Sequence, residues 1–129
     1  MTTYGYTILY VENVEKTIEF YKLAFGFTEK FITPEKDYGE LETGDTTLAF
    51  ASYSIAEYNG LVIDKLNQGT SLAPFEIAFV TDDIEAVYQQ ALKAGATAIK
   101  PPTEKPWGQI VAYVQDINGF LVEVCTKMG

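Results

Sequence analysis

The sequence predicts an α+β fold built from two tandem modules, each with the element order β-α-β-β-β. A strand followed at once by an amphipathic helix occurs twice, the second time 70 residues after the first. Each helical segment ends at a glycine and precedes three short segments typical of strands. With 129 residues, 47% of them hydrophobic, the chain is long enough for one packed domain. We expect a curved, cup-like mixed sheet with helices on its outer face and a small-molecule pocket inside.

Module one is assigned to residues 4–53. Asn13 is placed to cap the helix through its side-chain oxygen, and Gly26 is placed to end it. Apolar residues on this helix recur at offsets of four, three and four: Val14, Ile18, Tyr21 and Phe25. Gly44-Asp45 marks a turn between the last two strands. The predicted strands are 6–11, 27–32, 38–42 and 46–51.

Module two is assigned to residues 74–127. Asp82 and Glu85 have the spacing of a capping box, and Gly95 is placed to stop the helix. Pro101-Pro102 is expected to end the next strand, and Asn118-Gly119 favours a hairpin turn. The apolar helical face comprises Ile84, Val87, Tyr88, Ala91 and Leu92. The predicted strands are 75–80, 96–100, 110–114 and 120–124.

A polar connection joins the modules over residues 54–73, and it contains Gly60 and Gly69. A helical turn is expected within it at residues 61–66. The whole chain is thus one domain made of two modules.

Strand alternation predicts where a ligand would lie. One face of each sheet is uniformly apolar and suits the helices. The other face is mostly apolar but carries Tyr6, Glu76 and Glu123. Carboxylates on the inner side of an apolar sheet are typical of a binding cavity.

Composition excludes several classes of function. The net charge is −9 and no basic stripe is present, which argues against nucleic-acid binding. No apolar run approaches the roughly 20 residues that span a bilayer, so no membrane partner is expected. The chain has one cysteine and no histidine. It therefore has no internal disulfide, as expected of a cytoplasmic protein, and it lacks histidine-based triads and histidine-ligated zinc.

Two segments resemble a known family. The run VENVEKTIEFY at residues 11–21, followed by FGF at 25–27, is similar to the opening of the vicinal oxygen chelate superfamily. The run AYVQDINGFLVEV at residues 112–124 resembles its last hairpin. The superfamily includes glyoxalase I, the bleomycin resistance proteins and the extradiol dioxygenases. The resemblance covers essentially the whole chain and is specific for the fold, but this fold serves many activities.

The resemblance implies four metal-ligand positions, on the first and last strand of each module. Family enzymes usually carry histidine at the first and third, and histidine or a carboxylate at the second. Here the positions carry Tyr6, Ala49, Glu76 and Glu123, of which only Glu123 matches the usual type. No cofactor is therefore expected. If a divalent metal binds, its protein ligands are Glu76 and Glu123, supplemented by water.

Three further residues are candidates for roles near the pocket. Trp107, between a proline and a glycine, either edges the pocket or covers the sheet end as core packing. Tyr113 can donate a phenolic hydrogen bond to a ligand. Cys125 is expected to be a buried, inert thiol, because no histidine is present to activate it.

The first functional hypothesis is a metal-free, homodimeric small-molecule-binding protein. The resemblance to antibiotic-sequestering members implies a cationic or amphipathic ligand, which an acidic, aromatic pocket suits. The alternative is a divergent metal-dependent lyase, isomerase or dioxygenase that uses Glu76 and Glu123. A third possibility, an interaction module with a vestigial cavity, also stays open, so catalysis is neither asserted nor denied.

Overall fold

The chain forms two compact units, Met1–Lys65 and Leu66–Gly129, in a computed structural model that describes residues 1–69 and 71–128. Thr70, inside the predicted connection, and Gly129 lie outside the described residues. Each unit contains one four-stranded mixed sheet. The prediction of an α+β fold with two β-α-β-β-β modules is confirmed.

The first unit has the strand order β1-β4-β3-β2, in which β1 runs parallel to β4 and the other pairs are antiparallel. Its helix α1 packs on β2, β3 and β4. A second, short helix follows the last strand. The elements are β1 (Tyr6–Val11), α1 (Val14–Phe25), β2 (Thr28–Ile32), β3 (Tyr38–Glu42), β4 (Thr47–Ser52) and α2 (Tyr53–Tyr58).

Local chemistry explains why α1 forms where it does. The Lys16 amide donates to Asn13 Oδ1 at 2.9 Å, which satisfies one of the free donors of the first turn. Gly26 adopts φ 76° at the C-cap, where a side chain would be strained. The helix buries an aromatic stripe, and the rings of Tyr21 and Phe50 lie 5.0 Å apart. The core of this unit therefore contains an aromatic cluster among aliphatic residues.

The second unit repeats the plan with the order β5-β8-β7-β6, and β5 runs parallel to β8. Its helix α3 packs on β6, β7 and β8. The buried residues are mostly aliphatic, including Ala91, Val114, Val122 and Val124. The elements are β5 (Ile77–Val80), α3 (Ile84–Lys93), β6 (Thr97–Glu104), β7 (Ile110–Gln115) and β8 (Leu121–Cys125).

Two predictions about the second unit are wrong. The helix cap is Asp83 rather than Asp82, because the Ala86 amide donates to Asp83 Oδ1 at 3.2 Å. Pro101-Pro102 does not end its strand, since β6 continues to Glu104. This strand lies at the sheet edge, and its pairing with β7 is irregular around the prolines, so the missing N–H groups are tolerated.

Two further boundaries differ from prediction. Residues 61–66 are not helical, and the helix of this region is α2, which starts directly after β4. It ends before Gly60, at φ 72°, where the Leu61 amide turns back to the Ala56 carbonyl. Strand β5 begins at Ile77 rather than Phe75, whose amide bonds the Ala73 carbonyl in a tight turn. Glu76 therefore lies just before the strand on which it was predicted.

The longest helix, α1, has 12 residues and a length of about 18 Å. No helix of residues 1–69 and 71–128 combines the length and apolar character needed to cross a bilayer.

Candidate functional site

Each sheet has one face covered by its helix and one without, here called the helix-free face. In the first sheet this face carries Tyr6 on β1 and Ala49 on β4. Ile8, two residues after Tyr6, pairs in register with Ala49. Tyr6 is 60% exposed, whereas Ala49 is fully buried.

The second sheet places its two predicted residues in the equivalent positions. Ala78 pairs with Glu123, and Glu76 lies two residues before Ala78. Glu76 therefore corresponds to Tyr6, and Glu123 corresponds to Ala49. The register thus relates the four predicted positions in two pairs, one pair in each unit.

Glu123 is the centre of a hydrogen-bonded group. Tyr113 lies opposite it on β7, and the phenolic hydroxyl donates to Glu123 Oε1 at 3.0 Å. Glu76 and Cys125 also hydrogen-bond to Glu123. Together with Gln109, described below, these residues form the second-unit cluster, which comprises Glu76, Gln109, Tyr113, Glu123 and Cys125.

The hydrogen bond between the two carboxyl groups shifts their pKa values in opposite directions. The hydrogen bond with Glu123, followed by burial and charge repulsion, raises the pKa of Glu76 to about 7. Burial alone would raise the pKa of Glu123, but hydrogen bonds led by the one from Glu76 lower it. Glu123 is therefore the more acidic group of the pair, and Glu76 is partly protonated near neutral pH.

The other ionisable groups of the cluster are neutral. Burial and the hydrogen bond to Glu123 raise the pKa of Tyr113 to about 12 and the pKa of Cys125 to about 11. A thiol protonated at neutral pH is a poor nucleophile, which supports the expectation of an inert Cys125.

Trp107 is connected to this cluster through Gln109, a residue that the sequence did not point to. The indole N–H donates to Gln109 Oε1 at 2.8 Å, and Gln109 Nε2 donates to the Thr126 carbonyl at 3.0 Å. Gln109 also hydrogen-bonds Cys125. Because Trp107 is 64% exposed in the loop before β7, it is not core packing.

Sequence reasoning also missed Glu40, on β3 of the first sheet. Its carboxylate is buried, with Tyr38 donating to Oε2 at 2.7 Å and Lys30 Nζ lying 3.8 Å from Oε1. Glu40 pairs in register with Ala49. The parity of Tyr38 and Glu40 against the apolar Leu41 was a signal that could have found it. We call Lys30, Phe31, Tyr38 and Glu40 the first-unit cluster.

A surface pocket of about 250 Å³ lies elsewhere in the first unit, beside α2. Lys65 Nζ sits 4.7 Å from the centre of the Tyr53 ring there. None of the predicted site residues lines it. Its lining residues include Tyr53, Ala56, Leu61, Ile63 and Lys65.

Comparison with known proteins identifies the family. Residues 3–124 match the Glyoxalase/Bleomycin resistance protein/Dioxygenase superfamily. The chain belongs to this superfamily. It is 27% identical over 118 residues to the uncharacterized protein YraH of Bacillus subtilis (strain 168), covering 90% of this chain and 91% of that protein. The predicted resemblance is thereby confirmed.

Solved structures share the superfamily fold with this chain. A glyoxalase-related enzyme from Fulvimarina pelagi matches with a TM-score of 0.84 at 17% identity, covering 98% of this chain and 89% of that one. A glyoxalase/bleomycin resistance protein/dioxygenase family enzyme from Burkholderia phytofirmans PsJN matches with a TM-score of 0.78 at 20% identity, covering 97% and 98%. At these identities the likeness concerns the fold and not the activity.

The residues at the superfamily's metal positions do not fit a four-ligand centre. Ala49 has no side-chain donor atom, and a tyrosine side chain such as that of Tyr6 is not among the ligands that divalent cations usually take. Glu76 and Glu123 are hydrogen-bonded to each other. Within the described residues, no group of three or more histidine, cysteine, aspartate or glutamate side chains is arranged to hold a metal ion.

Proposed function

We propose that this protein binds a small organic molecule without a metal, and that the second-unit cluster recognises an amine or ammonium group on it. The observation that carries the proposal is the side-chain hydrogen bond between Glu76 and Glu123 on the helix-free face. A carboxylate is the natural partner of an ammonium ion, and a charge-assisted hydrogen bond between them is strong.

The surroundings of the pair suit an amphipathic ligand. Val80 is exposed, and it pairs in register with Cys125 beside Glu123. Tyr113 adds an aromatic ring on the neighbouring strand. Apolar groups around one anionic centre favour a molecule with an apolar body and a cationic head. The chain's net charge of −9 draws such a cation toward the surface.

Binding of a cation at Glu76 and Glu123 should release protons. A positive charge beside Glu76 stabilises its ionised form and lowers its pKa. Because that pKa is about 7 in the free protein, binding at neutral pH releases a fraction of a proton. The observed heat of binding then depends on the ionisation enthalpy of the buffer.

Isothermal titration calorimetry tests the proposal with benzylamine and tryptamine as probes and benzyl alcohol as the uncharged control. We expect the amines to bind in the presence of EDTA and to release protons in Tris and phosphate buffers at pH 7. We expect Glu123→Gln to weaken binding at least about tenfold, since it removes the charged acceptor. Glu85→Gln, an exposed change on α3 with the same loss of charge, is the matched control and should bind normally.

Two outcomes would overturn this function. Binding that requires a divalent cation would favour the metal-dependent enzyme instead. Equal losses in Glu123→Gln and Glu85→Gln would reduce the interaction to general electrostatic attraction.

We also propose that the protein is a cytoplasmic homodimer. The outer strands β1 and β2 of the first sheet, and β5 and β6 of the second, have one edge each without a neighbouring strand in the described sheets. Such edges are available for pairing with a second copy. Sedimentation equilibrium should return twice the chain mass of 14.3 kDa, and a monomer at micromolar concentration would contradict the dimer.

A further inference from the structure

We propose that the first-unit cluster is a second ligand site, with Glu40 as the anion that receives a primary ammonium group on a small aromatic molecule. Glu40 is 7% exposed, and it lies on the helix-free face of the first sheet. Burial of a charged group is costly unless a partner compensates it. The cation that faces Glu40 in the protein is only loosely held, which suggests that a ligand can take its place.

The cation that faces Glu40 is weakly held. Lys30 Nζ lies 3.8 Å from Glu40 Oε1, beyond the 2.7–3.2 Å range of a hydrogen bond, and the lysine side chain is 48% exposed. Such an ion pair is worth little, because water competes for the ammonium group. A ligand ammonium that reached hydrogen-bond distance would replace Lys30, whose flexible side chain can swing into solvent.

An irregularity in the edge strand builds the rest of the site. The pairing of β2 with β3 shifts between Glu29 and Phe31, so that Lys30 and Phe31 both stand against Glu40. A bulge of this kind places two residues of one strand opposite a single residue of its partner. Here it brings the displaceable cation and an aromatic ring to the same carboxylate.

Two aromatic rings provide the apolar part. The rings of Phe31 and Tyr38 lie 6.0 Å apart at 41°, and Phe31 is partly exposed. Tyr38 donates to Oε2 of Glu40, which fixes the carboxylate and directs its other oxygen toward Lys30. Ala49, the register partner of Glu40, contributes only a methyl group beside it. An aryl-alkyl ammonium ion can therefore place its charge at Glu40 and its ring against Phe31.

The test follows backbone amide signals in ¹⁵N-labelled protein by NMR during titration with benzylammonium chloride. We expect shifts in β2 and β3 in wild-type protein and in Glu123→Gln, because that substitution changes only the second-unit cluster. Lys30→Met should tighten binding by about two- to fivefold, since it removes the competing cation while leaving the fold intact. Glu40→Gln should weaken binding at least about tenfold.

The matched control is Glu42→Gln, an exposed residue of the same strand and the same parity that should bind the probe as wild type does. If Lys30→Met does not tighten binding, Lys30 is not a stand-in for a ligand and the proposal is wrong. Shifts confined to β7 and β8 would also overturn it while leaving the second-unit proposal intact. Loss of the β7 and β8 shifts alone in Glu123→Gln would support both sites.

Discussion

The two units share one sheet plan, including a bulge at the same place, but they distribute charge differently over it. In the first sheet the bulge sets Lys30 and Phe31 against Glu40, whose partner on the next strand is Ala49. In the second sheet the register also shifts, between Ala98 and Lys100, and Lys100 pairs with Tyr113 on β7. The register partner of that tyrosine is the carboxylate Glu123 on β8.

The comparison shows that the two units share equivalent backbone positions but carry different side chains at them. The acid stands on the third strand of one unit and on the fourth strand of the other, next to a tyrosine in both. The first acid faces a lysine, whereas the second is hydrogen-bonded to Glu76. One repeated plan therefore carries two carboxylates with different partners.

The cores of the two units differ as well, and the largest predicted effect concerns them. Phe50 on β4 and Val124 on β8 occupy equivalent register positions, and both are fully buried. Phe50→Ala should lower the free energy of unfolding by about 3–5 kcal/mol, because it empties a space against Tyr21. Val124→Ala should cost about 2 kcal/mol, since fewer carbon atoms are lost.

Urea denaturation followed by circular dichroism measures both values. Equal losses of unfolding free energy would show that the buried aromatic ring of Phe50 contributes no more to stability than the smaller side chain of Val124.

The second prediction compares the last hairpins of the two units, which turn at Gly44 and Gly119. Both glycines have positive φ, so alanine is strained at either position by about 1–2 kcal/mol. A methyl group on Gly119 would also lie 2.6 Å from the Asn67 carbonyl oxygen, whereas none of the surrounding atoms comes within 4 Å of it at Gly44. Gly119→Ala should therefore cost about 3 kcal/mol and Gly44→Ala about 1 kcal/mol.

Thermal unfolding of the two variants, side by side, tests this difference. Similar melting temperatures would mean that the backbone at Asn67 can move away from residue 119 without a loss of stability.

The smallest effect is a pH dependence confined to the second unit. Glu76 has a pKa of about 7 in the folded protein against an ordinary value of 4.5, so the folded state holds the proton more tightly. Its contribution to stability is complete below about pH 4.5 and is lost as the pH rises through about 7. Because Glu76 is exposed, water screens the pair and the change is small.

Carbon-13 NMR of the glutamate carboxyl groups follows this titration directly. In Glu123→Gln the pKa of Glu76 should fall toward its ordinary value, since the acceptor charge is gone. In Glu76→Gln the decline in stability between pH 5 and 8 should disappear. A Glu76 carboxyl group that titrates near 4.5 in wild-type protein would show that the hydrogen bond with Glu123 does not raise its pKa.

Much of the fold was predictable because it depends on local signals. Asn13 and Gly26 delimit the first helix through a cap and a positive φ, and both requirements are visible in the sequence. The errors arose where neighbouring candidates compete or where pairing decides. Asp82 and Asp83 are both plausible helix caps, and the sequence does not distinguish them. Pro101-Pro102 predicts the end of a strand, but β6 tolerates both prolines because it lies at the sheet edge.

The candidate site was predictable only in part. Strand parity placed Tyr6 and Glu123 on helix-free faces, since alternation is a property of the strand itself, whereas Ala49 was located only through the family resemblance. The Gln109 amide connects the nearby Trp107 indole to the Thr126 carbonyl 17 residues away, and no local sequence pattern predicts the second of these hydrogen bonds.

Three features of this protein can be read from the order of its residues: the repeated β-α-β-β-β plan, the absence of histidine ligands and the parity that directs carboxylates to one face. These follow from residue identity and from the fixed periods of helices and strands. Only the tertiary structure decided which groups meet. The register across β7 and β8 set Tyr113 against Glu123, and the bulge in β2 set Lys30 and Phe31 against Glu40. Register depends on cooperative pairing between distant segments, so the chemistry of both clusters became visible only after folding.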